Sequence, residues 1–145
     1  MFLGKYASKL DQESRFVAPS NYGGQLVGGA FLIRGFDRNL VVLNRTAFEE
    51  VCRRISSQNI ADPLTRLLLR LILSSAHELE PDQSGRISIP GELKEFADIG
   101  DDILLIGQGD YFELWQPSLW EKQELQLRDA LTNSSRFSAL MVATR

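Results

Sequence analysis

Short apolar segments, several of them with alternating polar positions, follow one another along this chain, and each is bounded by glycine, aspartate, asparagine or proline. This pattern is typical of β-strands joined by tight turns. It predicts a strand that ends at Asp11, a short strand RFVAP that stops at Pro19, and a hairpin in which AFLIRG and LVVL flank the turn FDRN. Pro19 ends its strand because proline has no N–H to donate to a neighbouring strand.

The same order of segments recurs in the second half of the chain. RISIP corresponds to RFVAP, GELKEFADIG has the pattern of a short helix in place of the glycine-rich YGGQLVGG, and DILLIG and YFELW flank a turn at QGD. Placing Asp11 on Asp82 also places Arg15 on Arg86, at an offset of 71, and RGFDRNLVVLNRTAF lies over IGQGDYFELWQPSLW at an offset of 72. A repeated order of motif, proline, strand, glycine turn, strand and helix cap predicts an internal duplication.

Each unit is predicted to close with a helix. Thr46 with Glu49, and Ser118 with Glu121, have the spacing of a capping box. After the first of these boxes, apolar residues at helical spacing predict an amphipathic helix over residues 47–57.

A further helix is predicted only after the first unit, with Asp62 as its N-cap and Pro63 in its first turn. Either the core or a neighbouring subunit could cover its wide apolar stripe. The stripe comprises Leu64, Leu67, Leu68, Leu71 and Ile72. These elements predict an α+β fold, with a first repeat and its two helices over residues 1–74 and a second repeat over residues 75–130. Residues 131–145 show no clear period, which predicts a poorly ordered tail or a weakly held helix.

The 145 residues are enough for one compact domain or for two small repeats that share a core, and 43% apolar content is typical of a globular protein. The net charge is −3 overall, but it is +3 over residues 1–54, −7 over residues 55–116 and +1 over residues 117–145. The overall charge argues mildly against a nucleic-acid partner, whereas the asymmetry predicts one basic face.

Residue types that support catalysis are scarce. One histidine, His77, and one cysteine, Cys52, cannot make a zinc site of ordinary composition, and the glycines of GGQLVGGA lack the lysine of a phosphate loop. Cys52 falls in an apolar helical stripe and is interpreted as a buried small hydrophobe, and His77 as a surface or partly packed residue. We therefore predict no enzyme activity, no catalytic residue, no metal site and no cofactor.

Membrane and export signals are also missing from the sequence. No apolar run approaches the roughly 20 residues of a membrane span, and MFLGKYASKLDQ lacks the apolar centre of a signal peptide. We predict a cytoplasmic protein without a membrane partner.

Arg15 and Arg86 each end a D-x-x-x-R motif in a predicted turn. An aspartate that begins a turn can accept hydrogen bonds from backbone N–H groups two residues on, which stiffens the turn. The planar guanidinium group suits a phosphate or a guanine edge, whereas the alternative is a surface salt bridge worth ~0–1 kcal/mol. Two copies at matched positions favour a shared binding surface. Lys5 and Lys9, at alternate positions on the strand that leads to Asp11, could share one face.

Three stretches, MFLGKYASKLDQESRFVAP, DQSGRISIP and ILLIGQGDYFELWQPSLWEKQ, together resemble the MraZ family, which is related to AbrB-type transcription factors. The resemblance covers about residues 1–130. It implies a double swapped-hairpin β-barrel built from two tandem AbrB-like repeats, with amphipathic helices on the outside, and ring-like homo-oligomers. It also implies a bacterial, nucleoid-associated regulator that binds double-stranded DNA and typically represses the division and cell-wall gene cluster from repeated promoter boxes.

The resemblance also implies which residues contact DNA. In the family, the arginine of D-x-x-x-R is the residue most tied to DNA, and it corresponds to Arg15 and Arg86, with the two motif aspartates as partners. Lys5 and Lys9 are expected to hold phosphates.

The first motif departs from the family pattern. Glu13 and Ser14 stand where the family usually has a basic residue and a glycine, and Gly23 stands where a basic residue is common. An acid at the turn tip opposes a phosphate, and a missing glycine restricts the turn. These departures support an alternative hypothesis, a ring-forming protein-interaction module that has lost DNA binding.

Overall fold

The computed structural model describes residues 1–132, which form eight strands and five α-helices together with one 3₁₀ turn. The strands are β1 (Lys5–Lys9), β2 (Arg15–Val17), β3 (Ala30–Arg34), β4 (Leu40–Asn44), β5 (His77–Leu79), β6 (Arg86–Ser88), β7 (Asp102–Gly107) and β8 (Tyr111–Trp115). The helices are α1 (Ser20–Gly23), α2 (Arg45–Ser56), α3 (Pro63–Ser75), α4 (Gly91–Phe96) and α5 (Pro117–Thr132), and the 3₁₀ turn is Gly24–Leu26. Of the predicted tail over 131–145, the first two residues continue α5, and the remainder lies outside the described residues.

Strands from both predicted units are combined in one antiparallel sheet, whose order is β1-β7-β8-β4-β3-β5. Strand β1 of the first unit pairs with β7 of the second, and β5 of the second unit pairs with β3 of the first. The remaining strands, β2 and β6, form a separate two-stranded antiparallel ribbon. The two units therefore share one sheet.

The strand pairings are related by an approximate two-fold axis between β4 and β8. Leu40 lies opposite Leu114, and Val42 lies opposite Phe112. Adding 72 to the β4 numbers and subtracting 72 from the β8 numbers exchanges these two pairs. The β2–β6 ribbon has the same property at an offset of 71, which supports the proposed duplication.

The predicted mixed α+β class with antiparallel strands is confirmed, but the expected closed barrel is not present among the described residues. The outer strands β1 and β5 each pair on one side only. The strands that follow them, β2 and β6, have three residues each and stop just before the segments Ala18–Pro19 and Ile89–Pro90. Proline cannot donate to a ladder, which accounts for the short length of both strands. They pair with each other and do not extend the sheet.

The six-stranded sheet has apolar residues on both faces. One face packs against the β2–β6 ribbon and α4, and its fully buried side chains include Phe16, Tyr22, Ile87, Leu93 and Phe112. The other face packs beneath α2 and α3 through Phe31, Ile33, Leu43 and Ile72. Burial on both sides explains why β3, with the sequence AFLIR, shows no alternation of apolar and polar residues.

Two of the predicted helix starts are wrong. The N-cap of α2 is Asn44, whose side chain accepts a hydrogen bond from the N–H of Ala47 at 2.8 Å, so Thr46 lies inside the helix. Gln116 Oε1 likewise accepts from the N–H of Leu119 at 2.9 Å in the first turn of α5, in the role predicted for Ser118. Asn44 is the last residue of β4, and Gln116 directly follows β8. In each case the capping oxygen therefore comes from a residue that precedes the predicted one.

The start of α3 is confirmed, since Asp62 caps it by accepting from the N–H of Leu64 at 2.9 Å. Its leucine stripe is divided between core and surface. Ile72 is buried, whereas Leu64 and Leu67 are 59% and 60% exposed. The part of α3 nearest its N-terminus therefore presents apolar side chains that the rest of the described residues do not cover.

Candidate functional site

The two D-x-x-x-R motifs form the same turn. In the first, Asp11 Oδ1 accepts hydrogen bonds from the backbone N–H groups of Glu13, at 2.9 Å, and Arg15, at 3.0 Å. In the second, Asp82 Oδ1 accepts from the N–H groups two and four positions later, at 2.8 Å and 2.9 Å. Each aspartate thus fixes the loop from inside, as the motif predicted.

The fourth motif position has a left-handed backbone in both turns. Gly85 adopts φ 77° without steric cost, whereas Ser14 adopts φ 60°, which is unfavourable for a residue with a Cβ. Two tertiary contacts hold Ser14 there: its Oγ accepts from Lys94 Nζ at 3.1 Å, and its carbonyl accepts from the N–H of Ile89 at 3.0 Å. The first turn therefore keeps the shape of the second despite lacking the glycine.

The turn geometry keeps both aspartates ionised. For Asp82, the hydrogen bond from the N–H of Arg86 is the largest cause of a pKa below the ordinary value of 3.8, and it outweighs desolvation. For Asp11, desolvation is the largest single effect and raises the pKa, but hydrogen bonds from Arg15 and the N–H of Glu13 reverse it, so this pKa is also lowered. In return, the side-chain hydrogen bond to Asp11 raises the pKa of Arg15.

The β2–β6 ribbon brings the two turns together. Val17 lies opposite Arg86 in the ribbon, just as Arg15 lies opposite Ser88. Between these pairs, Phe16 and Ile87 face each other, and both are buried in the core. The ribbon therefore presents both arginines from one rigid element.

Arg15 is held by three carboxylates. Its Nε donates to Asp11 Oδ2 at 2.9 Å, and its Nη1 lies 3.4 Å from Asp82 Oδ2 and 3.5 Å from Glu13 Oε2. Only 24% of the Arg15 side chain is exposed. Arg86 is freer, because 44% of its side chain is exposed and its one ion pair among the described residues is a 4.0 Å contact with Asp11.

The two lysines are placed differently from each other. Lys9 lines a surface depression between the two turns together with Arg15 and Arg86. Its Nζ is 3.9 Å from Asp102. Lys5 lies four residues earlier on β1, about 13 Å away at the rise of a strand, and its Nζ donates to Glu124 of α5 at 2.9 Å. The structure therefore brings Lys9, but not Lys5, to the paired turns.

The depression between the turns, about 340 Å³ in volume, has a mixed charge. Its cations are Lys9, Arg15 and Arg86, and its acids are Asp11 and Glu13, with Asp82 at hydrogen-bonding distance from Arg15. The basic face expected from the charge distribution is not found here, because acids from both units pair with the cations of the first. Linear spacing could not reveal the Arg15–Asp82 contact, which joins residues 67 positions apart.

Relatives of this chain decide its family. A family model described as "MraZ protein, putative antitoxin-like" matches residues 72–139. The "Transcriptional regulator MraZ" of Roseiflexus castenholzii is 37% identical over 145 residues, which are 100% of this chain and 99% of that protein. Proteins of the same name from Mycobacterium tuberculosis and Mycolicibacterium smegmatis are 34% and 33% identical over 124 residues, or 86% of this chain and 87% of each relative.

The chain belongs to the MraZ family. This result confirms the resemblance seen in the sequence. The MraZ relatives are named as transcriptional regulators and not as enzymes, in agreement with the prediction of a non-enzymatic protein.

In the described part of this MraZ chain, the cysteine and the histidine do not form a reactive or metal-binding site. Cys52 on α2 is half-buried, and burial raises the pKa of its thiol, which disfavours the reactive thiolate. His77 is also partly buried, with Nδ1 2.9 Å from the carbonyl oxygen of Ser75. Within residues 1–132, no group of three or more metal-ligating side chains comes together, and no helix is long and apolar enough to cross a bilayer.

Proposed function

We propose that this chain is a sequence-specific, DNA-binding transcriptional regulator of the repressor type, and that its two D-x-x-x-R turns contact double-stranded DNA. One observation carries the proposal: the β2–β6 ribbon joins both turns into one exposed surface with Arg15, Arg86 and Lys9. Guanidinium groups on stiffened turns can donate to phosphate oxygens or to a guanine edge without a large loss of side-chain freedom on binding.

The mixed charge of this surface makes a single pair of turns a weak anion site. A ring of identical subunits would repeat the pair, and linked weak sites gain affinity through effective concentration. We therefore propose a homo-oligomeric ring as the DNA-binding form. The exposed Leu64 and Leu67 on α3 offer apolar surface for a contact between subunits.

We propose a double swapped-hairpin fold for each subunit. The exchange of β1 and β5 between the two units supports it, and the β2–β6 ribbon packs on one face of the shared sheet. The proposed target, from the family resemblance, is the set of repeated promoter boxes upstream of the division and cell-wall gene cluster. Such a regulator would act in the cytoplasm, at the nucleoid.

A fluorescence-anisotropy titration tests the proposal. The full chain is titrated into a labelled duplex from the region upstream of its gene and into a scrambled duplex of equal composition. Tighter binding to the upstream duplex is expected, and the variant Arg15→Ala with Arg86→Ala should lose most of it while light scattering shows the same oligomer. Removal of each group that binds a phosphate should flatten the dependence of log K on log salt by roughly 0.9.

A matched control is Arg70→Ala, since Arg70 is exposed on α3 and makes no ion pair with the described residues. It removes one positive charge from the face of the sheet opposite the ribbon. Because α3 also carries the proposed subunit contact, light scattering must show the same oligomer, and the variant should then bind DNA nearly as the wild type does. Equal affinity of the wild type and the double-arginine variant would refute the assignment.

A second candidate function, a ring-forming module that binds a protein partner, is favoured by one feature. Glu13 is 73% exposed at the tip of the first turn, where its charge repels a phosphate. Failure of the wild type to bind the upstream duplex at low salt, with the oligomer intact, would favour this alternative.

A further inference from the structure

We infer that the two turns contact DNA unequally: Arg86 is the principal contact, and the Glu13 carboxylate competes with a DNA phosphate for Arg15. This inference rests on the proposed function, and it assigns a role to a residue outside the motif positions. It follows from comparing two copies of one turn within a single chain.

The backbones of the two turns are equivalent. Each aspartate accepts two N–H bonds on Oδ1, and each turn closes through N–H donors to the carbonyls of the first and fifth residues at 2.9–3.0 Å. The sequences DQESR and DQSGR differ only at the third and fourth positions. A difference between the arginines therefore originates in side chains and not in the shape of the turn.

The guanidinium group of Arg15 is already occupied. Its Nε is bound to Asp11, and its Nη1 lies between Asp82 and Glu13, at 3.4 Å and 3.5 Å. A phosphate that approaches this group must compete with these carboxylates. Two of them belong to the motif, so the additional competitor is Glu13.

Among residues 1–132, the guanidinium group of Arg86 has no such competitor. Its turn carries Ser84 at the position of Glu13. Its motif aspartate, Asp82, directs Oδ2 toward Arg15, and the nearest acid to Arg86 is Asp11, at 4.0 Å. Arg86 is thus both the more exposed arginine and the one whose N–H groups can donate to a ligand.

Glu13 can be changed without disturbing the turn. Its backbone N–H donates to Asp11, but its side chain is 73% exposed and its one ion pair among the described residues is with Arg15. Its carboxylate therefore acts on the binding surface and not on the fold.

The test moves the acid from one turn to the other. The variant Glu13→Ser with Ser84→Glu keeps both composition and net charge. Arg15→Ala and Arg86→Ala are each introduced into the native and the exchanged chain, and affinity for the upstream duplex is measured at a fixed salt concentration. In the native chain, Arg86→Ala should lose more affinity than Arg15→Ala; in the exchanged chain, this difference should shrink, because the moved acid competes at Arg86 while Asp11 and Asp82 still bind Arg15.

The single variant Glu13→Ser should tighten binding about two- to fivefold, the range expected for one exposed charge. Thermal unfolding of each variant checks that the fold is retained. Equal losses from the two arginine variants in the native chain, or an undiminished difference between them in the exchanged chain, would overturn the inference while leaving the proposed DNA binding in place.

A second readout does not depend on DNA recognition. The Nε–Hε resonances of the arginines are followed by NMR during titration with inorganic phosphate. Arg86 should respond more strongly than Arg15 in the native chain, and the difference between the two responses should shrink in the exchanged chain. If no chain binds any duplex, the proposed function fails together with the statement about DNA contact. The phosphate titration then still decides whether Glu13 limits anion binding at Arg15, and equal responses of the two arginines in the native chain would contradict that role.

Discussion

Arg15 Nη1 lies 3.4 Å from Asp82 Oδ2, although 67 residues separate the two in sequence. The arginine of the first motif thus contacts the aspartate of the second. This contact exists because β2 and β6 pair with each other and not with the larger sheet. A substitution in one turn should therefore also alter the side-chain contacts of the other turn.

The first prediction concerns acid. Because the pKa of Asp82 is lowered in the folded chain, the unfolded chain binds more protons near pH 4, and the stabilisation by its carboxylate is lost as pH falls through the folded pKa. Asp82→Asn keeps an oxygen that can accept from the turn but removes the charge. The wild type should exceed this variant in free energy of unfolding at pH 7, and the difference should shrink below about pH 4. Urea unfolding from pH 7 to pH 2 measures this, and a difference independent of pH would contradict it.

The second prediction concerns the base of the ribbon. Phe16 is 1% exposed and faces Ile87, which is 2% exposed. Phe16→Ala should lower the free energy of unfolding by about 3–5 kcal/mol, since it leaves a cavity beneath both turns. The conservative control Ile87→Val should cost only about 0.5–1.5 kcal/mol. Urea denaturation compares them, and equal small losses would show that the ribbon is not part of the cooperative core.

The third prediction concerns the close approach of two backbones. A Cβ on Gly107 would lie 2.6 Å from the Cα and N of Leu3 and from the carbonyl oxygen of Phe2. Backbone cannot move aside cheaply, so Gly107→Ala should destabilise the chain by about 1–3 kcal/mol. Gly23 is the matched control, since no atom of the described residues lies within 4 Å of its Cβ position and its φ of −56° suits any residue. Gly23→Ala should stabilise by about 0.4–1 kcal/mol, and similar effects of the two variants in thermal unfolding would disprove this account.

Local features of this chain could be predicted from its sequence. Alternation, proline stops and turn residues located the strands of both hairpins, and Asp62 was identified as the N-cap of α3. The doubled motif also located two equivalent turns. These features depend on a few neighbouring residues, whose conformational preferences are strong.

Features that depend on distant residues could not be predicted in the same way. The closed barrel was expected, but which strand pairs with the three-residue β2 depends on the whole topology. The basic face was expected from charge counts, yet Lys5 binds Glu124 of α5 and Lys9 lies near Asp102 of β7. Segment charges do not reveal which acid the fold will place beside each cation.

Site-specific cross-linking tests the central claim, that the paired turns contact DNA, most directly. In a Cys52→Ser background, the thiol introduced by Ser84→Cys is labelled with a thiol-reactive photo-cross-linker on the second turn. Gln108→Cys, in the turn between β7 and β8, is the control. Gln108 is six residues beyond Asp102, which puts it about 20 Å from the end of β7 that faces Lys9. We predict that irradiation with the upstream duplex cross-links DNA to position 84 and not to position 108. Cross-links at position 108 without any at position 84 would contradict the account.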